Sequence, residues 1–164
     1  MSSPAQLLLP TTLGPTVAAE VRRYGQQGRE TAGFLLAPRG TNRVSELACC
    51  AQTGIARHAD LLRISASALE RLFLYAQQRD LWIPAQVHSH RSRAFLSRVD
   101  AAFGFCLEDY VSCVVPHFTR PPGAADAWGW WRFRRGSWQA IACPALTTSS
   151  LEQVWFDEDG ICAG

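Results

Sequence analysis

His88-Ser89-His90 sets two imidazoles at positions i and i+2. On an extended strand this spacing points both rings to one face, where two nitrogens can reach one metal ion at about 2.0–2.1 Å. Asp100 closes the segment Ser97-Arg-Val-Asp100 and offers a hard oxygen. Two imidazoles and one carboxylate give a tetrahedral zinc ion three ligands and leave one place open, the mark of a catalytic site. Water in that place has its pKa lowered from about 15.7 towards about 7, so hydroxide is available near neutral pH. Glu30 stands apart from this set, just before the apolar run Thr31-Ala-Gly-Phe-Leu-Leu-Ala-Pro38.

Each residue also has a plainer reading. H-x-H alone is weak evidence of a metal. Ser97 and Asp100 form the S-x-x-D pattern of a helix start, so Ser97 could be only a cap and Asp100 only its partner. Glu30 could be a surface residue following the Gly28 turn, but an acid entering an apolar strand, with Gly33 allowing close backbone approach, argues against that. The joint pattern carries the metal reading. His58 and His117 fall outside it and are expected at the surface. Other H-x-H metal sites fit less well: a metallo-β-lactamase pattern needs Asp where Ser92 stands, and a cupin pattern needs a Glu that does not occur before Glu108.

These side chains need a strand for the histidines and a helix start for Asp100. The pattern supplies both. Pro15 stands where a first helical residue often stands, opening a helix whose apolar stripe is Val17, Ala18, Val21 and Tyr24, and Gly25 and Gly28 end it. Thr31–Pro38 reads as a buried strand, with further strands at Val44–Ala51 and Leu61–Ser65. Ser65 or Ser67 can cap a helix carrying Leu69, Leu72, Phe73 and Ala76 on one face. Trp82–His88 is the strand that delivers the histidines, and Ser97 opens a helix running to about Cys106. Strands follow at Tyr110–Pro116, Ala127–Arg134, Trp138–Cys143 and Gln153–Phe156. The loop His117–Ala125, with Pro121-Pro122-Gly123, is expected to be flexible. Helices interleaved with strands predict an α/β fold, a sheet covered on both faces.

Composition bounds the function classes. The chain has 164 residues, 48% hydrophobic and 18% charged, which fits one compact domain over residues 15–164 after a loose leader at 1–14. A net charge of +2 without a basic run gives no ground for nucleic acid binding, and Arg132, Arg134 and Arg135 read as a solvated strand face. All 16 basic residues are Arg, which the codon usage of a GC-rich genome explains. Six cysteines lack C-x-x-C and zinc-finger spacing and sit mostly in apolar strands, as free thiols in a reducing cytosol do. Leu7-Leu8-Leu9 has no basic residue before it, the first being Arg22. Neither a signal peptide nor a membrane span is expected, and a cytoplasmic location is.

Taken together, Glu30-Thr-Ala-Gly33-Phe-Leu-Leu, Val87-His88-Ser89-His90 and Ser97-Arg-Val-Asp100 resemble the JAMM/MPN+ zinc metalloprotease family, from about Val17 to Trp138. The resemblance implies a cytidine-deaminase-like three-layer sandwich, with a mixed central sheet flanked by helices. It implies that His88, His90 and Asp100 ligate Zn2+, that Glu30 is the proton carrier, and that Ser97 donates to the developing oxyanion. It further implies an isopeptidase or peptidase acting at the C-terminus of a ubiquitin-like protein or its conjugates. The closest likeness is to short bacterial members beside ubiquitin-like conjugation genes, a setting that includes antiviral defence. For an enzyme handling lysine-linked conjugates, a chain without lysine would be an advantage. Two alternatives stay open: a relative acting on a sulfur-carrier protein or small amide, and a non-catalytic MPN scaffold, which the complete ligand set disfavours. The chain departs from the family at Arg91, where many members have Pro, and in the six-residue loop Arg91–Leu96, one shorter than in many eukaryotic relatives. With Arg93 and Arg98, Arg91 gives the site a positive rim suited to an acidic partner surface.

Overall fold

The computed structural model describes residues 6–103 and 105–164. In chain order its elements are β1 (Leu8–Pro10), α1 (Leu13–Gly25), β2 (Ala32–Pro38), β3 (Glu46–Cys50), β4 (Ile55–Arg57), β5 (Leu62–Ile64), α2 (Ala66–Gln78), β6 (Leu81–Ser89), α3 (Arg98–Phe103), β7 (Val111–Val115), β8 (Gly129–Arg134), β9 (Ser137–Ile141), β10 (Ala145–Thr147), β11 (Glu152–Asp157) and β12 (Gly160–Ala163). Eight strands form one sheet in the order β12-β11-β3-β2-β6-β7-β8-β9. It is mixed: β3 pairs with β11 and β6 with β7 in parallel, and the other neighbours are antiparallel.

The interior strands β3 and β7 are buried at every residue, as strands covered on both faces should be, their polar residues Glu46 and Ser112 included. The stripe Leu13, Val17 and Val21 of α1 packs one face, against Leu35, Leu47, Val87 and Cys113. Ala68, Leu72 and Ala76 of α2 pack the other, against Phe34, Leu36, Ala48 and Phe156. Ser65 settles the cap of α2, its Oγ accepting from the Ala68 N–H at 3.1 Å. Gly33 sits where β2 and β3 approach closely; a Cβ there would lie 3.1 Å from the Ala48 carbonyl and 3.2 Å from Leu47 Cδ1. The architecture is the expected α/β sandwich.

Several local expectations are corrected. In its described part the leader is not loose: β1 pairs with β10 in parallel, and Leu7 and Leu9 are buried in the core. Two leucines burying their side chains outweigh the flanking Ser, Thr and Pro. Helix α1 starts at Leu13, two residues before Pro15. Helix α3 ends at Phe103, short of Cys106. The loop His117–Ala125 is pinned. Phe118 is buried, and its N–H donates to the His90 carbonyl (3.0 Å). The Trp128 and Trp130 indoles donate to the carbonyls of Pro122 and Ala125, each at 2.9 Å. Turn-forming residues set that loop's path, and aromatic partners remove its freedom. Among the described residues, no helix is long and apolar enough to cross a membrane.

Candidate metal centre

Strand β6 carries His88 and ends at Ser89, with His90 directly after it; both rings are buried, 8% and 5% exposed, and their centroids are 5.0 Å apart. Asp100 comes from the first turn of α3. Its Oδ2 lies 3.2 Å from His88 Nε2 and 3.2 Å from His90 Nε2. Only the His90 contact has hydrogen-bond geometry. His88 Nε2 is a buried nitrogen with no hydrogen-bond partner among the described residues. A buried, unsatisfied imidazole nitrogen is costly unless something else occupies its lone pair. One atom from each of the three residues lies within 4.8 Å of the others, an arrangement that suits a metal ion.

The helix start holds the carboxylate in place. Ser97 Oγ accepts from the Asp100 N–H and Asp100 Oδ2 accepts from the Ser97 N–H, each at 3.0 Å. This is the reciprocal cap expected from S-x-x-D, and the same Oδ2 faces the imidazoles. Trp138 Nε1 adds a bond to the Ala101 carbonyl at 3.2 Å. Burial alone would raise the Asp100 carboxyl, but the two imidazoles facing it and the Ser97 N–H outweigh that and hold it well below the usual carboxylate range.

Glu30 is brought to the same place by register. Gly33 pairs with Val87 and Ala32 with His88 across β2 and β6, so continuing two residues sets Glu30 opposite His90. Its side chain is 6% exposed. Burial, tempered by His90 and reinforced by the charges of Asp100 and Asp60, pushes its carboxyl from the ordinary 4.5 up to about 7. The backbone is locked on both sides of Thr31: the Thr31 N–H donates to Ser89 Oγ (2.9 Å), and the Ser89 N–H donates to the Thr31 carbonyl (3.0 Å).

All five expected residues, Glu30, His88, His90, Ser97 and Asp100, therefore meet at one end of the sheet. Two contributors were not foreseen. Ser89 reads as a spacer between histidines, yet the alternation that aligns the rings sends its hydroxyl to the opposite face, where it fastens β6 to Thr31. Phe95 covers His90 edge-on at 4.5 Å between ring centroids, a contact made by a loop and without periodic signature. His58 is exposed as expected, though its carbonyl accepts from the Glu30 N–H at 2.8 Å. His117 is exposed and takes no part.

No family model matches the chain. Among curated proteins, it is 34% identical over 119 residues to a probable metalloprotease, y4jG, of Sinorhizobium fredii, covering 70% of this chain and 73% of that protein. Among solved structures, it superposes on protein DSY2949 of Desulfitobacterium hafniense with a TM-score of 0.58 and 13% identity, over 90% of this chain and 93% of that one. It also superposes on AF2198, a JAB1/MPN domain protein of Archaeoglobus fulgidus, with a TM-score of 0.53 and 13% identity, over 88% and 100%. The structural likenesses establish the fold, that of a JAB1/MPN domain, and the His88-His90-Asp100 cluster within it suits a metal ion. On the sequence relative, the chain belongs to the same metalloprotease family as y4jG.

Proposed function

We propose that this protein is a zinc-dependent isopeptidase or peptidase that cleaves the amide bond at the C-terminus of a ubiquitin-like protein. One observation carries the hydrolytic part: two imidazole nitrogens and one carboxylate oxygen converge, with a buried fourth residue, Glu30, set opposite His90. His88, His90 and Asp100 hold the ion. When bound, zinc supplies Lewis acidity, polarising the scissile carbonyl and acidifying water near neutral pH.

The remaining chemistry belongs to the chain's own residues. Glu30, with a carboxyl raised towards neutrality, takes the proton of the attacking water and passes it to the leaving amine. Ser97 Oγ already accepts from the Asp100 N–H, which leaves its own O–H free to donate to the oxyanion. Phe95, set edge-on against His90, keeps that side of the site apolar.

The substrate assignment is supported by the sequence resemblance and by the hairpin bordering Glu30. Strands β4 and β5 pair only with each other among the described strands, leaving backbone groups for an extended tail to join. The test is metal analysis of the purified protein with cleavage assays on ubiquitin-like fusions, isopeptide conjugates and small amides. Zinc should be bound and the ubiquitin-like substrates cleaved. Cleavage confined to sulfur-carrier fusions or small amides would replace the substrate, and zinc binding without any cleavage would leave a scaffold.

A further inference from the structure

We infer that Arg57, on β4, is a positioning residue for Glu30, acting through Thr31 and the hairpin; this rests on reading Glu30 as the proton carrier. Glu30 precedes the first residue of β2, Ala32, so the sheet ladder does not hold it. Its N–H goes instead to the His58 carbonyl, one residue past β4. The placement of the base therefore depends on where the hairpin sits.

Arg57 fixes that position from the face of β2 opposite the metal centre. Its Nη2 donates to the Cys50 carbonyl of β3 at 2.6 Å, and its Nε donates to Thr31 Oγ1 at 3.3 Å. The guanidinium carbon lies 3.8 Å from the centroid of the Tyr24 ring of α1. Tyr24 is itself buried, with its hydroxyl facing Gln52 Nε2 at 3.0 Å. One planar cation thus ties the hairpin to α1, to β3 and to the residue after Glu30. Lysine cannot replace it, because an ammonium has neither the flat face nor the fork of donors. A catalytic carboxylate must be held to within about 0.5 Å, and a misplacement of about 1 Å costs on the order of 10²-fold in rate. Arg57 touches no ligand of the metal, so its loss should fall on turnover and not on metal content.

The experiment uses the zinc-loaded chain as wild type, Arg57→Met, Arg57→Lys and, as a control on the exposed side of α1, Arg22→Met. Zinc stoichiometry, kcat and KM are measured with one fusion substrate, and amide hydrogen exchange is followed residue by residue. For Arg57→Met the expectation is a kcat lower by about 10- to 100-fold, with KM and zinc unchanged. Exchange at the Glu30 and Thr31 amides should quicken at least about tenfold while the centre of β2 keeps its protection. Arg57→Lys should fall between, and carries the test if Arg57→Met does not fold; Arg22→Met should match wild type. Quickened exchange throughout the sheet, or a local loosening with kcat unchanged, would overturn the positioning role. Unchanged exchange at Glu30 overturns it whatever the turnover. Failure of wild type to cleave any amide would strike the hydrolase reading instead, and Glu30 exchange would still decide whether Arg57 holds that backbone.

Discussion

Ser97 and Asp100 hold each other by two hydrogen bonds of 3.0 Å running in opposite directions, and the Asp100 oxygen engaged in one of them is the oxygen that faces His88 and His90. Helix capping and the candidate metal site therefore share an atom. Ser97→Ala removes the cap and the free hydroxyl together. It should lower turnover by about 10²–10³-fold and helix stability by about 1 kcal/mol. Paired kinetic and thermal-melt measurements check this, and unchanged kcat would remove Ser97 from the reaction.

Asp100→Asn separates the two duties. An amide oxygen still accepts from the Ser97 N–H, so the helix start survives. A neutral amide is a poor ligand beside two imidazoles, so zinc affinity should fall steeply. Circular dichroism unchanged from wild type, with zinc lost at equilibrium dialysis, is the expected pair of results. Zinc held as tightly as in wild type would exclude Asp100 as a ligand.

Glu30→Gln keeps the shape of the side chain and removes its basicity. Zinc content should stay as in wild type while turnover drops by about 10²–10⁴-fold. Equal activity would mean that another group carries the proton.

The same residue gives the metal-free protein a pH-dependent stability. With its carboxyl raised from 4.5 to about 7 in the fold, the native state keeps a proton that the unfolded chain has already released across that window. Stability therefore falls as pH rises from about 4.5 to about 7 and then levels, by on the order of 2–3 kcal/mol. Denaturant melts at a series of pH values should show this slope in the apo wild type and a flatter one in apo Glu30→Gln. Identical slopes would refute the shifted carboxyl.

Arg91 stands exposed directly after His90, and its charge bears on Glu30. If the positive rim draws an acidic face of the substrate, Arg91→Glu should raise KM several-fold in low salt, and the difference should shrink as ionic strength rises. A KM indifferent to both the substitution and the salt would discard the rim.

The amino-acid order by itself determined the candidate ligand set, because strand alternation and helix capping are local rules. H-x-H aligns two rings on any strand, and S-x-x-D places a carboxylate in any first helical turn. The buried strands and the apolar faces of α1 and α2 were legible for the same reason. Only the tertiary structure decided that Glu30 lies opposite His90, since that register joins residues far apart in the chain through the pairing of β2 with β6. It also decided that Leu8–Pro10 is a strand, that the proline-rich loop is pinned by two indoles, and that Arg57 braces the hairpin beside the base. Those contacts depend on partners brought from distant segments, and no periodicity within one segment can announce them.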